Sequence, residues 1–434
     1  MTSVTADAAE SITFKSITIR SEKIGDREID ITEGVSNIDI YEHIDKPYLT
    51  GAITFADSKD IIASARIGGG ERIEIVLQST REGSDSEPVS KIFYLDTIIT
   101  SSKLGDNTEF FVLHLIEDIG FISSLQNINK AYSDNPSNIL KGIATSFLGK
   151  TLVSTENTQK KMKLIVPNLT PIETMAWIKN MSCTTEGYPF YLLSNLVSDE
   201  LNFVDLKTLL SAPVLNPEEP FSYSEATMPT GGPLSTSHRR VIKGYTFKDT
   251  DNLLSLIKKG LVGAEYRYLN PTKAEDNHYT FDVQKDVVDK IPETQYHFNN
   301  EYMVKGKSFN AYSSRTITQV GSTEAYDKGS SYHQSDKDHY KLNTINRAVD
   351  HLLKNNPLTI TVNGVDFLDG TSHHTIGRKI AVLFMRNTAP EDTDYYYDNR
   401  KSGDFLIFSA KHSFDRETYT TSLTCLKISD GDIT

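Results

Sequence analysis

An Ile-Gly turn that leads into a strand of alternating apolar residues occurs twice in this chain, once near each end. The first copy is Ile67–Leu77 and the second is Ile376–Phe384. In the first copy Ile73, Ile75 and Leu77 fall on one face of an extended chain, because successive side chains of a strand point to opposite faces. The pattern predicts two half-buried β-strands in similar settings.

The sequence around the two copies also repeats. A β run precedes each copy, and two long β runs around a polar turn follow it. The runs are Ala52–Asp57, Phe93–Thr100 and Glu109–Ile116 in the first region, and Leu358–Val362, Phe405–His412 and Thr420–Ile428 in the second. We interpret this as a duplicated β domain; the alternative is two unrelated β-meanders that share a common pattern. Different strand orders in the two regions would exclude the duplication.

Between the repeats the chain has a mixed helix and strand pattern. Asn135–Pro136 predicts the start of a helix, since asparagine is a good N-cap and proline fits the first turn, and Gly149 predicts its end. Thr170 and Glu173 have the spacing of a capping box at the start of a second helix. Two short β runs follow. The stretch Ser211–Ser237, rich in Pro, Ser, Thr and Gly, predicts a long linker.

Further elements precede the second repeat. Arg240–Phe247 is a β run, and Asp251–Lys259 predicts a short helix. A polar, Tyr-rich stretch with weak β runs, Asn270–Ser335, leads into the clearest helix of the chain, which begins with an acidic first turn and stops at Pro357. From Leu358 to Ile428 the pattern is β again.

Composition excludes several classes of protein. The 434 residues have a net charge of −13 and include 21 Tyr and 19 Phe, whereas a disordered chain has few aromatic residues. Two cysteines exclude a disulfide framework and a Cys-rich metal centre, which leaves one distant bridge or two reduced thiols. The negative charge argues against a general nucleic-acid binder. We expect no membrane anchor, no signal peptide, and a chain that stays in a cytoplasm unless a machine exports it.

Three groups of residues have the composition of a chemical site, and each has a simpler explanation. Gly68–Gly70 could cradle a phosphate, but such a loop needs a following helix and here a strand follows. His373–His374 could bind a metal, but adjacent residues of an extended segment point in opposite directions. The third group is His333, Asp336, Asp338 and His339. Its two aspartates already fit the first turn of the predicted helix.

No catalytic motif is present in the sequence. There is no Gly-x-Ser-x-Gly elbow, and Cys183 follows a helix in a polar context without a nearby histidine. Paired carboxylates for glycoside hydrolysis cannot be chosen from 58 acidic residues without a fold. We therefore assign no catalytic residue, no cofactor or cofactor-binding residue and no metal ligand, and we expect that the protein is not an enzyme.

The order of these pieces resembles the baseplate hub protein of T-even-type contractile phages. The resemblance covers most of the chain and rests on layout rather than on a short signature motif. It is most specific in the unit Phe93–Glu117 with the helix at Pro136, in Val166–Glu173 before the Trp177 helix, and in the meander Leu358–Ile428. Phage late-control proteins and type VI secretion spike proteins share this hub architecture and belong to the wider family.

The resemblance implies a mainly β fold with α+β parts. Two similar small β-barrel-like domains are expected, together with an α+β domain and an inserted domain that interrupts the second β domain. The expected boundaries are residues 1–118 for the first β domain, 119–222 for the α+β domain, 223–268 with 355–434 for the second β domain, and 269–354 for the inserted domain.

The resemblance also implies a structural role in the baseplate of a contractile virion tail that is assembled in the host cytoplasm. Such a hub is a homotrimer whose six β domains form a pseudo-sixfold ring, which joins the sixfold tail tube to a threefold central spike. The implied partners are the cell-puncturing, lysozyme-like spike protein and tail tube or tube-initiator proteins, with tape-measure and wedge proteins as further candidates. DNA passes through the channel of the ring at ejection without specific binding.

A closed ring needs head-to-tail contacts between opposite edges of neighbouring subunits. We expect the strands Phe110–Ile116 and Leu423–Ile428 to be open domain edges that line or close the ring, since an unpaired edge must otherwise be protected.

Two other functions stay open at this point. The Tyr395–Tyr397 run would suit a carbohydrate-active β enzyme whose rings stack on sugars, although tyrosine is equally enriched at protein interfaces. A type VI-like spike component of a bacterium is the third hypothesis. Hydrolysis of cell-wall glycan would favour the enzyme, and neighbouring genes or the virion proteome would distinguish a phage protein from a type VI protein.

Overall fold

The structure is a computed structural model that describes most of the chain. The described residues are 12–25, 27–79, 87–104, 108–155, 162–223, 240–248, 253–270, 274–297, 303–308, 312, 315–320, 337–368, 375–385, 397–416 and 418–430. Within these ranges the strands form one large sheet and four small ones. No helix of the described ranges has the length and apolar character needed to cross a membrane.

The first β region consists of seven antiparallel strands with a short helix. Its elements are β1 (Ile12–Ser21), β2 (Arg27–Asp30), β3 (Val35–His43), β4 (Thr50–Asp57), α1 (Ile61–Ser64), β5 (Arg72–Ser79), β6 (Val89–Leu104) and β7 (Thr108–Glu117). The alternation predicted for the first repeat is confirmed, because Ile73, Ile75 and Leu77 are all buried on one face of β5.

The middle of the chain alternates short helices and strands. Its elements are α2 (Asp118–Ser124), β8 (Ala131–Asp134), α3 (Pro136–Ile143), β9 (Leu152–Ser154), β10 (Met162–Ile165), α4 (Pro171–Met181), β11 (Phe190–Leu193), β12 (Leu201–Asp205) and α5 (Leu206–Ser211). Both predicted helix starts are confirmed. The helical path from Pro136 ends at Gly149, whose φ of 66° is a left-handed conformation that suits glycine.

The third region completes a second β unit and encloses a small α+β unit. Its elements are β13 (Phe221–Tyr223), β14 (Gly244–Phe247), α6 (Leu253–Lys258), β15 (Ala264–Asn270), β16 (Glu275–Phe281), β17 (Met303–Val304), β18 (Lys307–Ser308), β19 (Arg315–Val320), α7 (Lys337–Leu353), β20 (Leu358–Asn363), β21 (Lys379–Phe384), β22 (Gly403–Asp415) and β23 (Tyr419–Ser429). The domain boundaries stay a prediction, and β15 crosses the one placed at residue 268.

The prediction of a linker from Ser211 to Ser237 is wrong for its first half. Phe221–Tyr223 forms β13, which pairs in parallel with β21. Phe221 is fully buried and stacks near Phe367, with the ring centroids 6.2 Å apart. A single large aromatic residue in a polar stretch therefore directs a short strand into the core. Residues 224–237 lie outside the described residues.

The two β regions have the same strand order. The first is β3-β4-β7-β6-β5-β1 and the second is β14-β20-β23-β22-β21-β13, so each position is occupied by the corresponding element of the other region. One pairing differs in direction, since β1 is antiparallel to β5 whereas β13 is parallel to β21. The predicted agreement of strand order is confirmed, and the unrelated-meander explanation loses its support.

Three clusters of buried residues hold these units together. One fills the first β region and a second fills the middle region. The third is shared by the second β region and the elements around α7, which bury Ile345, Val349 and Leu352 in it. The helix thus buries an apolar face, and the enclosed unit packs directly on the second β sheet.

Loss of the capping box at α4 should destabilise the middle region. Thr170 accepts the backbone N–H of Glu173 at 3.3 Å, and Glu173 accepts the backbone N–H of Thr170 at 3.0 Å. We expect Thr170→Ala to lower the free energy of unfolding by about 1 kcal/mol, the usual effect of losing an N-cap. Thr170→Ser keeps the hydroxyl and is the matched control. Denaturant unfolding measures both, and equal values for the two variants would contradict the capping role.

Candidate functional site

A long strand in each β region has different strand neighbours in its two halves. The first part of β22, up to Leu406, pairs with β21, and the part from Ser409 to Asp415 pairs with β3 of the other β region. In the first region β6 pairs with β5 only as far as Tyr94. The β22–β3 pairing joins the two β regions into one continuous sheet, which runs β14-β20-β23-β22-β3-β4-β7-β6.

A β-bulge marks the change of neighbour in both long strands. In β6 the pairing with β7 shifts by one residue between Leu95 and Thr97, and in β22 the pairing with β23 shifts between Ile407 and Ser409. A bulge bends its strand and increases the local twist. Beyond its bulge β22 pairs with β3 of the first β region as well as with β23, whereas β6 beyond its bulge pairs with β7 alone among the described residues.

One face of the continuous sheet carries mostly uncharged side chains. Register places the following residues on it: Gly244 and Thr246 of β14; Thr359, Thr361 and Asn363 of β20; Thr420, Ser422 and Thr424 of β23; Ser409, Lys411, Ser413 and Asp415 of β22; Asn37, Asp39, Tyr41 and His43 of β3; Thr50, Ala52, Thr54 and Ala56 of β4; Phe110, Val112, His114 and Ile116 of β7; and Thr97, Ile99 and Ser102 of β6. We call this set the open face.

The open face has two chemical halves. The strands of the second β region present a ladder of hydroxyl groups, with the Thr361 and Ser422 oxygens 3.0 Å apart and the Thr359 and Thr424 oxygens 3.5 Å apart. The strands of the first region present more apolar groups, of which Ile99 is 49% exposed. The opposite side of the same strands is buried against the cores. The open face is therefore a polar but nearly neutral surface with an apolar sector.

Acidic and basic side chains are scarce on the open face. Among its members only Lys411, Asp39 and Asp415 are Lys, Arg, Asp or Glu, although these four types make up 24% of the whole chain. Lys411 and Asp39 form an ion pair at 3.0 Å. Although burial opposes the charged form, the hydrogen bond and charge of Asp39 raise the pKa of Lys411. The shift favours the charged form of Lys411, which lies directly beside Asp39.

A buried polar group lies on the other side of the β22–β3 pairing. The Glu42 carboxylate and His412 Nε2 are 3.2 Å apart, and both side chains are fully buried. His412 Nδ1 lies 2.7 Å from the hydroxyl of Tyr419, whose ring packs flat against Gly364. A Cβ at Gly364 would lie 2.4 Å from ring atoms, so only glycine fits there. This group favours one register between the two β regions, because a shift would leave buried polar atoms without partners.

The middle region is attached to the same sheet through a polar loop. The backbone N–H of Leu196 donates to Glu42 at 2.5 Å, and the Ser194 hydroxyl donates to Glu117 at 3.2 Å. Lys91 donates to the carbonyl of Ser198 at 2.6 Å and lies 3.5 Å from Glu117. Burial raises the pKa of Glu117, while the charge of Lys91 opposes that shift. The loop thereby joins the middle region to β3, β6 and β7 at once.

The strands predicted as open edges are interior strands, so that prediction is wrong. β7, which contains Phe110–Ile116, lies between β4 and β6, and β23 lies between β20 and β22 as far as Cys425. An alternating pattern shows which face of a strand is buried, but it does not show whether one or both of its backbone edges are paired. Within the described residues, the edges of the continuous sheet are β14 and the second half of β6.

The glycine run of the first repeat holds a carboxylate of its own chain. The backbone N–H groups of Gly68 and Gly69 donate to Glu71 at 3.2 and 2.8 Å, and Lys23 donates to the same carboxylate at 2.5 Å. Gly69 and Gly70 have φ angles of 124° and 84°, which explains the need for glycine. The prediction of a turn rather than a phosphate loop is confirmed.

Most of the other candidate site residues lie outside the described residues. This holds for His333, Asp336, His373, His374, Tyr395 and Tyr396, and for the side chains of Asp338 and His339. Among the residues described, no group of three or more His, Cys, Asp or Glu side chains has a metal-binding arrangement. Cys183 and Cys425 are buried and are not joined in a disulfide. Burial raises the pKa of Cys425, so little of it is present as the reactive thiolate.

Comparison with solved structures identifies the fold. The tail protein from Neisseria meningitidis MC58 aligns with a TM-score of 0.54 and 14% identity over 97% of this chain and 98% of that one. The tail protein of prophage MuSo2 from Shewanella oneidensis aligns with a TM-score of 0.52 and 12% identity over 97% of this chain and all of that one. The chain has the fold of phage tail proteins. No protein-family model and no curated protein sequence matches it.

The phage tail fold confirms the resemblance inferred from the layout of the sequence and the expected mainly β architecture. A type VI secretion component from E. coli, described as similar to bacteriophage T4 tail proteins, also aligns, with a TM-score of 0.44 and 10% identity over 91% of this chain and 74% of that one.

The buried pair at the β22–β3 pairing should be important for stability. We expect His412→Ala to lower the free energy of unfolding by about 3–5 kcal/mol, since it leaves Oε2 of the buried Glu42 side chain without its partner while Oε1 keeps the Leu196 N–H. Lys411→Ala, on the exposed side of the same strand, should lower it by no more than about 1 kcal/mol. Denaturant unfolding gives both values. A His412→Ala variant as stable as Lys411→Ala would show that the buried group does not hold the two regions in register.

Glu71 should make the first β region more stable at neutral than at acid pH. Burial opposes ionisation, but hydrogen bonds from Lys23, Gly69 and Gly68 together lower the pKa of Glu71 below its ordinary value of 4.5. Its contribution is therefore present above the unfolded-state pKa and is lost as the pH falls through the lower folded-state pKa. We expect the thermal stability of the wild type to exceed that of Glu71→Gln near neutral pH and to converge with it in acid. A difference independent of pH would contradict the ionised state.

Proposed function

We propose that this chain is the structural hub of a contractile phage tail baseplate, a homotrimer that surrounds a channel and joins the tail tube to the central spike. One observation carries the proposal. Two domains of equal strand order lie side by side in one continuous sheet. The outer edges of that sheet are β14 and the second half of β6. They correspond to β3 and the second half of β22, the two strands that pair at its centre.

Symmetry explains how such a chain would form a ring. The contact between β22 and β3 is a head-to-tail contact between two like domains. The same kind of contact between chains closes a ring if the rotation from one chain to the next is a whole fraction of a full turn. With three chains, the number implied by the resemblance to hub proteins, six similar domains surround the axis. Three copies of the eight strands from β14 to β6 would then form a ring of 24 strands. This would let a threefold spike meet a sixfold tube.

The open face suits the wall of a DNA channel. A trimer would have a net charge of three times −13, or −39, and the open face itself has few charges. Each Lys or Arg that contacts a phosphate adds salt-dependent affinity and so resists movement of the duplex. A wall of hydroxyl and apolar groups would let DNA pass during ejection without holding it.

The proposed partners follow from this position in the tail. The spike protein with its cell-puncturing activity would bind at one end of the ring, and tail tube or tube-initiator proteins would bind at the other. Tape-measure and wedge proteins are further candidates. The hub itself would be non-enzymatic, assembled in the host cytoplasm and retained in the virion. The absence of a catalytic motif in the sequence supports this part of the proposal.

Sedimentation velocity tests the hub proposal. We expect a trimer, either for the chain alone or after co-expression with the spike protein, which can contribute part of the contact. The spike protein alone is the control for its own oligomeric state. A monomer or a twofold dimer in both preparations would exclude the hub function.

Duplex DNA should bind weakly to the assembled protein. We expect no saturable binding at micromolar protein concentration and physiological salt in a fluorescence anisotropy titration, because the lysine of the open face, Lys411, is paired with Asp39. A variant with Thr359→Lys and Thr361→Lys, which places two cations on the open face, should show measurable affinity that falls with salt. Sub-micromolar binding by the wild type would contradict a passive channel.

A further inference from the structure

The strands at the two ends of the continuous sheet, β14 and the second half of β6, each have one strand neighbour within the described residues. β14 pairs with β20, and residues 97–104 of β6 pair with β7. β14 corresponds to β3 of the first β region, and β6 corresponds to β22 of the second. β3 and the second half of β22 pair with each other inside the chain. The β22–β3 pairing is thus an internal example of a contact that β14 and the second half of β6 could make with each other between chains.

Strand register defines which residues correspond between the two β regions. Leu115 and Cys425 correspond, since each lies opposite the residue that precedes the bulge of the long strand. Counting from them along β7 and β23, and across the sheet, gives four correspondences: Ser102 with Ser413, Ile99 with Lys411, Thr246 with Asp39, and Lys248 with Tyr41.

We propose that β14 of one subunit pairs antiparallel with the second half of β6 of the next subunit, with Thr246 opposite Ser102 and Lys248 opposite Ile99. This inference rests on the proposed trimeric function and adds the strands and the register that would close the ring. The register is copied from the internal contact, where Asp39 lies opposite Ser413 and Tyr41 lies opposite Lys411.

The side chains at the two edges fit this contact. Inside the chain, Lys411 lies over the ring of Tyr41, with Nζ 5.7 Å from the ring centroid. In the proposed contact Lys248 takes the place of Tyr41, and Ile99 takes the place of Lys411. The lysine therefore lies on the other strand of the pair. Ile99 is 49% exposed and next to an edge that has no strand neighbour among the described residues, and a neighbouring chain would cover it. The aliphatic part of a lysine can pack on such a group while its charge stays in water.

Paired cysteine substitutions test the register directly. Thr246→Cys with Ser102→Cys, and Lys248→Cys with Ile99→Cys, place cysteines directly opposite each other, within reach of a disulfide. Thr246→Cys with Ile99→Cys, and Lys248→Cys with Ser102→Cys, use the same four positions but leave the partners about two residues out of step and beyond about 7 Å. The two native cysteines are buried and contribute little background.

The expected product is a covalent trimer on a non-reducing gel from the two matched pairs, at least about fivefold more abundant than from the mismatched pairs under the same mild oxidation. A disulfide within one chain is impossible, because eight strands separate the two edges by roughly 34 Å. Cross-linking of the mismatched pairs instead of the matched pairs would overturn the register. A trimer in sedimentation velocity without cross-links in any pair would overturn the contact and leave the hub function intact.

A second measurement does not depend on disulfide geometry. Ile99→Glu should raise the protein concentration at which half the trimer dissociates by about tenfold or more, because a charge would replace an apolar group covered in the contact. Leu125→Glu is the matched control, since Leu125 is 71% exposed and lies outside both edge strands. Equal dissociation of the two variants would overturn the contact, whereas a wild type that stays monomeric with and without the spike would overturn the hub function as well.

Discussion

The pairing of β22 with β3 is the contact on which the rest of the architecture depends. A strand edge in water exposes a row of backbone donors and acceptors that pair readily with another strand. Within this chain the second half of β22 finds that partner in the other β domain. The two domains therefore become parts of one sheet, with a common open face, instead of separate units on a linker.

The pairing is made specific by what lies beneath it. Glu42 from β3, His412 from β22 and Tyr419 from β23 meet in a fully buried polar group, and the loop that contains Leu196 donates its backbone N–H to the same glutamate. Backbone pairing alone tolerates several registers, whereas buried polar atoms must find their partners in one of them. The polar group thus connects both β domains and the middle region. It therefore helps to hold the strands of the open face in one position relative to all three parts of the chain.

Sequence and structure agree where local chemistry decides the outcome. The capping box at Thr170 and the left-handed end at Gly149 depend on neighbouring residues of the same segment, and both were predictable. The edge strands were not predictable in this way. β7 and β23 alternate between apolar and polar residues like many edge strands, but each also has a partner on its second side that lies far away in the sequence. The strand at Phe221 was missed for a similar reason, since its partner β21 lies beyond the enclosed unit.

The sequence by itself determined the repeated β domains, the mixed middle region and the near absence of motifs for catalysis. These depend on side-chain periodicity, on caps and turns, and on residue types, all of which are local or compositional properties. Only the tertiary structure decided that the repeats share one sheet, that near a bulge β22 exchanges β21 for β3 while β6 loses β5, and that the sparsely charged side chains of eight strands lie on one face. These features depend on which distant backbone edges pair and in which register, because a shift of one residue would move every side chain to the opposite face.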